Sequence, residues 1–81
     1  MKIHKIRIDK CYADAVLAGK KTFEICYNDR GYPVGDMVKF TCTLHALAEK
    51  TFQIGYLLHT PGLKEGWCVF SIFEIEGSGN E

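Results

Sequence analysis

Hydrophobic and polar positions along this chain change period several times, and each change marks an element. Over "KIHKIRI", the β-branched residues Ile3, Ile6 and Ile8 punctuate basic ones at a density that reads as a strand. Lys2, His4, Lys5 and Arg7 follow no single period, so the pattern leaves the buried face open. Asp9 then stands at a helix N-cap position, where a carboxylate can accept a bond from a free N–H of the first turn. In "KCYADAVLAG" an apolar stripe passes through Cys11 or Tyr12, Ala15, Val16 and Ala18 or Gly19, which predicts a helix of about two and a half turns. Gly19 ends it, as a left-handed glycine just past a helix does.

Strict alternation returns in "KTFEICY". Phe23, Ile25 and Tyr27 fall on one face and Thr22, Glu24 and Cys26 on the other. "NDRGYPVGD" is a loop punctuated by Gly31, Pro33 and Gly35. A third strand runs from Met37 to about Leu44. "HALAEK" is compatible with a helical turn or a loose connection. A fourth strand alternates through Phe52, Ile54, Tyr56 and Leu58, with Gly55 marking a bulge. After the loop "TPGLKEG", "WCVFSIFEIE" is nearly continuous in apolar residues and reads as a strand buried on both sides. Five strands and one helix in so short a chain must close partly on themselves or leave long apolar edges. The expected fold is therefore α+β: a small, mostly antiparallel β-barrel with one short helix after the first strand, plugging one end. The expected organisation is a single domain over residues 1–76 with a flexible tail over 77–81.

At 81 residues there is room for one core. A chain of that size buries about 60% of its unfolded surface, enough without staples. Ten basic residues balance ten acidic ones. That neutrality argues against a binder working by charge density alone, while leaving room for a local basic cleft. Cys11, Cys26, Cys42 and Cys68 fit no C-x-x-C spacing, so no metal site or cofactor is expected. "MKIHKIRI" has no apolar signal region, and no run is long enough to span a bilayer. The expectation is a cytoplasmic protein with reduced thiols; the even cysteine count leaves a disulfide framework as the alternative.

The densest polar stretch, "GKKTFEICYNDRGYPVGD" from Gly19 to Asp36, is where chemistry is sought. Lys20 and Lys21 follow a helix end, where cations complement the dipole whether or not they bind anything. Glu24 with Lys21 or Arg30 is either a surface ion pair, worth under about 1 kcal/mol, or part of a cleft. In a cleft, Lys21 would hold a phosphate or carbonyl oxygen and Glu24 would read an amino edge. Lys21 and Glu24 are three apart, so they meet only if Lys21 lies in the turn before the strand. Asn28, Asp29 and Arg30 read equally as a turn, and Asp36 after Gly35 as structural. A thiolate at Cys26 paired with His4 is a further, weaker arrangement, since a lone strand cysteine is more often an inert small hydrophobe. Tyr27, Tyr32 and Trp67 are candidate stacking platforms for bases, or ordinary rim packing.

The spacing from His4 to Gly19, then Lys20, Lys21, Thr22, Phe23, Glu24 and Ile25, then Asn28-Asp29-Arg30 and Gly35-Asp36, resembles the ASCH (activating signal cointegrator homology) domains of the PUA-like superfamily. The closest pattern is that of small stand-alone bacterial and phage proteins of unassigned function. "GLKEGWCVFSI" is similar to that branch's closing segment. One position departs: Cys26 stands where the branch carries Arg, and a thiol cannot replace a bidentate guanidinium fork. The resemblance implies a PUA-like pseudobarrel with a cleft beside the first helix, and recognition of RNA or a nucleotide. Some ASCH members resemble ribonucleases. Others are amidohydrolases that deacylate the N4 of modified cytidine through a G-x-K-T-x-T motif. Against that motif Lys21 matches the lysine and Thr22 the first threonine, while Glu24 occupies the nucleophilic threonine's place.

The candidate ligand-binding residues are therefore Lys20, Lys21, Thr22, Glu24 and Arg30, with Lys21, Thr22 and Glu24 the candidate catalytic groups. The leading expectation is a stand-alone RNA- or nucleotide-binding module. The alternatives are a small hydrolase of modified nucleosides or RNA, and a protein-interaction module that recruits a partner along an edge strand.

Overall fold

A computed structural model describes residues 1–27, 31–59 and 62–75. Its strands are β1 (Ile3–Arg7), β2 (Phe23–Tyr27), β3 (Met37–Thr41), β4 (Phe52–Leu58) and β5 (Trp67–Glu74). Its helices are α1 (Lys10–Leu17) and α2 (His45–Ala48). The strands form one sheet in the order β1-β3-β4-β5-β2, curled into a half-barrel. β2·β5, β3·β4 and β4·β5 are antiparallel, whereas β1 pairs with β3 in parallel. The sheet is thus mixed, and its edge strands β1 and β2 do not pair with each other.

The concave face carries the core. His4 and Ile6 point inward from β1, so the basic Lys5 and Arg7 point out, which settles the facing the sequence left open. Val38, Phe40, Phe52, Ile54, Cys68, Phe70 and Ile72 complete the layer, with Ala13 and Val16 from α1 and Leu47 from α2 packed into it. The bulge between Ile54 and Tyr56 lies at Gly55, as expected.

Several expectations need correction. α2 is a second helix beyond the one expected, and realises the helical turn that "HALAEK" allowed beside a loose connection. The buried stripe of α1 is Ala13 and Val16 with half-buried Leu17, and both Cys11 and Tyr12 are exposed. A short helix lying on a sheet uses the small Ala13 for close approach, which frees the larger Tyr12 to point elsewhere. Asp9 holds the N-cap position, but its side chain makes no capping bond; its carbonyl accepts from Tyr12 and Ala13 instead. β5 is buried on one face only: Cys68, Phe70 and Ile72 point in, while Trp67 and Phe73 are exposed. All four cysteines are thiols.

The end of α1 is built to deliver β2. Gly19 adopts φ +79° and donates to the Val16 carbonyl, while the Lys20 and Lys21 N–H groups both reach the Ala15 carbonyl. This is a Schellman-type closure, with the glycine at its left-handed position. It leaves Lys21 in the turn before the strand.

Candidate functional site

Because the barrel does not close, the gap between its edge strands is a cleft of about 500 Å³. Arg7, Ile8 and Asp9 line one side, at the end of β1, and Tyr12 projects from α1. Lys21, Phe23, Glu24 and Ile25 line the other. The volume falls within the range of about 300–1,000 Å³ found for small-molecule sites.

Lys21 and Glu24 meet here. The Lys21 ammonium lies 2.5 Å from Glu24 Oε2 and donates a second bond of 2.9 Å to the Phe23 carbonyl. It also sits 5.5 Å from the Tyr12 ring centroid and 5.2 Å from that of Phe23, within cation–π range. Glu24 is only 7% exposed, so the pair is largely buried and not the surface bridge the sequence allowed. Strict alternation puts Glu24 inward from β2, and the turn lets Lys21 curl over to neutralise it. Among the described residues no buried side-chain oxygen or nitrogen lacks a partner. Glu24 is itself among the residues lining the cleft.

The other candidates separate. Thr22 is exposed and lines a different depression, beside Val16, Lys50 and Phe73, while its carbonyl accepts from the Ile72 N–H. Lys20 is exposed and does not line the cleft. Arg30, with Asn28 and Asp29, lies outside the described residues. Tyr27 and Trp67 pack edge to face, 5.8 Å apart, on the outer side of β2 and β5. Tyr32 is not a stacking platform: it is 4% exposed, with its ring 5.1 Å from that of His4 and 5.0 Å from that of Phe70. The "GYP" loop folds back over the core, and an aromatic there gains more from burial than a rim position would give.

His4 pairs with Asp36, not with Cys26. Its Nε2 lies 2.8 Å from Asp36 Oδ2, and both side chains are buried. The hydrogen bond from His4 holds the Asp36 carboxyl below its ordinary value. Burial opposes that shift, and the Lys2 backbone N–H adds to it. Asp36 is thus structural in two ways: its N–H closes the turn on the Pro33 carbonyl, as expected, and its carboxylate ties β1 to the start of β3. Burial alone raises the Cys68 thiol. Among the described residues no cluster of three or more His, Cys, Asp or Glu could hold a metal ion, and no helix is long and apolar enough to cross a membrane.

Of the cleft residues the sequence reading missed, Arg7, Asp9 and Tyr12 are the polar ones; Ile8, Phe23 and Ile25 are the apolar ones. Arg7 and Asp9 looked like strand polarity and a helix cap, and Tyr12 like stripe. Only the meeting of the two sheet edges makes them neighbours of Lys21.

The fold and cleft define a small α+β protein with an open half-barrel and a ligand-sized seam. The chain belongs to the family described as "Domain of unknown function (DUF3850)", which matches residues 3–72. A search of the curated proteins finds no match. Among solved structures, the chain is similar to the crystal structure of hypothetical protein PH0355, at a TM-score of 0.66 and 17% identity, over 93% of this chain and all of that one. At that identity the likeness concerns the fold alone.

Proposed function

We propose that this protein is a binding module that takes one nucleotide into the seam between its edge strands. The observation that carries this reading is the composition of the cleft. Apolar and aromatic walls from Ile8, Tyr12, Phe23 and Ile25 surround the polar side chains of Glu24, Arg7 and Asp9. The rings offer a base a stacking surface, a contact that tolerates any base. Glu24 accepts from an exocyclic amine or ring N–H, as carboxylates do with cytosine. Arg7 makes no ion pair among the described residues and is free to fork onto a phosphate. Asp9, with no capping bond to make, is a partner for ribose hydroxyls. Lys21 is already engaged by Glu24 and the Phe23 carbonyl, so it positions the carboxylate and does not meet the phosphate. The resemblance to ASCH domains supports the same ligand class. The neutral net charge favours a single nucleotide over a long RNA, whose many phosphates call for a basic surplus.

A hydrolase finds less support. Thr22 lies outside the cleft, and Tyr12 supplies the one side-chain hydroxyl among the residues lining it. Calorimetric titration with the four ribonucleoside monophosphates tests the proposal. Arg7→Ala weakens all binding ligands about 10-fold or more, the worth of a charge-assisted bond. Glu24→Gln changes the preference among bases. Absence of binding by all four would refute the reading.

A further inference from the structure

The convex side of β2, β5 and β4 carries an unusual set of side chains. Phe23, Ile25 and Tyr27 project from β2, Trp67 and Phe73 from β5, and Tyr56 and Leu58 from β4, each between 38% and 65% exposed. Strand register makes them neighbours. Ile25, Val69 and Leu58 form one cross-strand row, Phe23, Ser71 and Tyr56 the next, and Tyr27 faces Trp67. Gly55 sits within the face, and the Phe73 ring lies 3.2 Å from where its Cβ would be, so the aromatic covers the gap left by the missing side chain. No residue of these rows is charged.

We infer that this convex β2–β5–β4 face is the docking surface for a second copy of the chain, packed sheet on sheet. Area is the first argument. Seven side chains of this kind, about half exposed, present roughly 600 Å², taking about 150–250 Å² for a whole aromatic. That is at the upper limit of the largest patch on a typical monomer, about 300–600 Å². It is also most of the roughly 800 Å² that each partner contributes to a standard stable interface. Charge is the second. The rows themselves hold no cation for a nucleic acid or an anionic surface and no complement for a charged protein patch; Lys21, 5.2 Å from the Phe23 ring at the edge of the face, is already paired with Glu24. An uncharged, aromatic-rich face brought against itself by a two-fold axis meets no like charge, and homodimer interfaces are the most apolar class. Aligned packing of two such faces places the sheets about 10 Å apart with their side chains interdigitated. The inference goes beyond the nucleotide reading: Phe23 and Ile25, at the edge of the face, also line the cleft, whereas Tyr56 and Leu58, central to it, do not.

Sedimentation velocity from micromolar to near-millimolar concentration tests it on the full chain. The expected result is a reversible species of twice the 9.2 kDa chain mass. Tyr56→Asp and Leu58→Asp weaken the association by about 30-fold or more, as loss of a central anchor does, with an unchanged circular dichroism spectrum. Dilution of the unsubstituted, isotope-labelled chain gives a readout independent of any variant: amide shifts confined to β2, β5 and β4. A chain that stays monomeric throughout overturns the inference, whether the face is covered by its own chain or by a different protein. A dimer indifferent to both substitutions, or dilution shifts centred on α1 or β1, overturns it equally.

Discussion

Lys21 and Glu24, three residues apart and separated by a strand boundary, form a largely buried ion pair at the floor of the seam. A carboxylate facing inward from β2 would be an uncompensated charge without that lysine. Breaking such a pair from one side leaves the other charge buried, which costs about 3–5 kcal/mol when burial is complete. Lys21→Met is therefore expected to destabilise the protein by about 3 kcal/mol. Lys21→Met/Glu24→Leu together are expected to cost less than the sum of the two single changes. Urea unfolding of the four proteins in the cycle measures this. Additive single effects would show that the two charges do not stabilise each other.

The pairing of His4 with Asp36 carries a pH signature. The folded Asp36 carboxyl titrates below its ordinary value of 3.8. Its contribution to stability is therefore fully present above that value and is lost as pH falls through the lower, folded pKa. Asp36→Asn removes this dependence. The stability difference between the native protein and Asp36→Asn, measured in urea, is expected to shrink as pH falls below about 4. A difference that does not change on acidification contradicts the assignment.

Gly19 closes α1 in the left-handed region, with nothing within 4 Å of where a Cβ would stand. Substitution there acts through backbone conformation alone. Gly19→Ala is expected to lower stability by about 1–2 kcal/mol, the penalty of placing an ordinary L-residue in that region. Thermal unfolding by calorimetry is the check. A neutral effect would mean that the turn carrying Lys21 rearranges freely.

The thiols should differ in reactivity. Cys11 is exposed on α1, while Cys68 is buried with its thiol pKa raised by that burial. Aromatic disulfide reagents are expected to modify Cys11 in the native protein and Cys68 only after unfolding, because attack needs an accessible thiolate. Four thiols should be counted in denaturant without reductant. Fewer would mean that a disulfide forms in solution.

Alternation and turn residues made the five strands legible, because period two and glycine punctuation are local properties. The helix end at Gly19 and the bulge at Gly55 were legible for the same reason. The buried stripe of α1 was not: which of Tyr12 and Ala13 turns inward depends on how closely the helix approaches the sheet. The exposed side of β5 was not legible either, since an apolar strand reads the same whether or not anything covers it. At the site, Lys21 and Glu24 were identified together because the turn before β2 allowed them to meet. Arg7, Asp9 and Tyr12 joined them only through the open seam, and the approach of two unpaired edge strands leaves no local trace. Tyr32 was placed at the rim because a loop aromatic carries no sign of the core it covers.

The central claim is that one nucleotide enters the seam between β1 and β2. Amide chemical-shift mapping during titration with cytidine monophosphate tests it most directly. Saturable shifts clustered at Arg7–Tyr12 and Lys21–Ile25, abolished by Arg7→Ala and absent around Tyr56 and Trp67, are the predicted result. Shifts that never saturate, or that centre on the convex face instead of the seam, would contradict it.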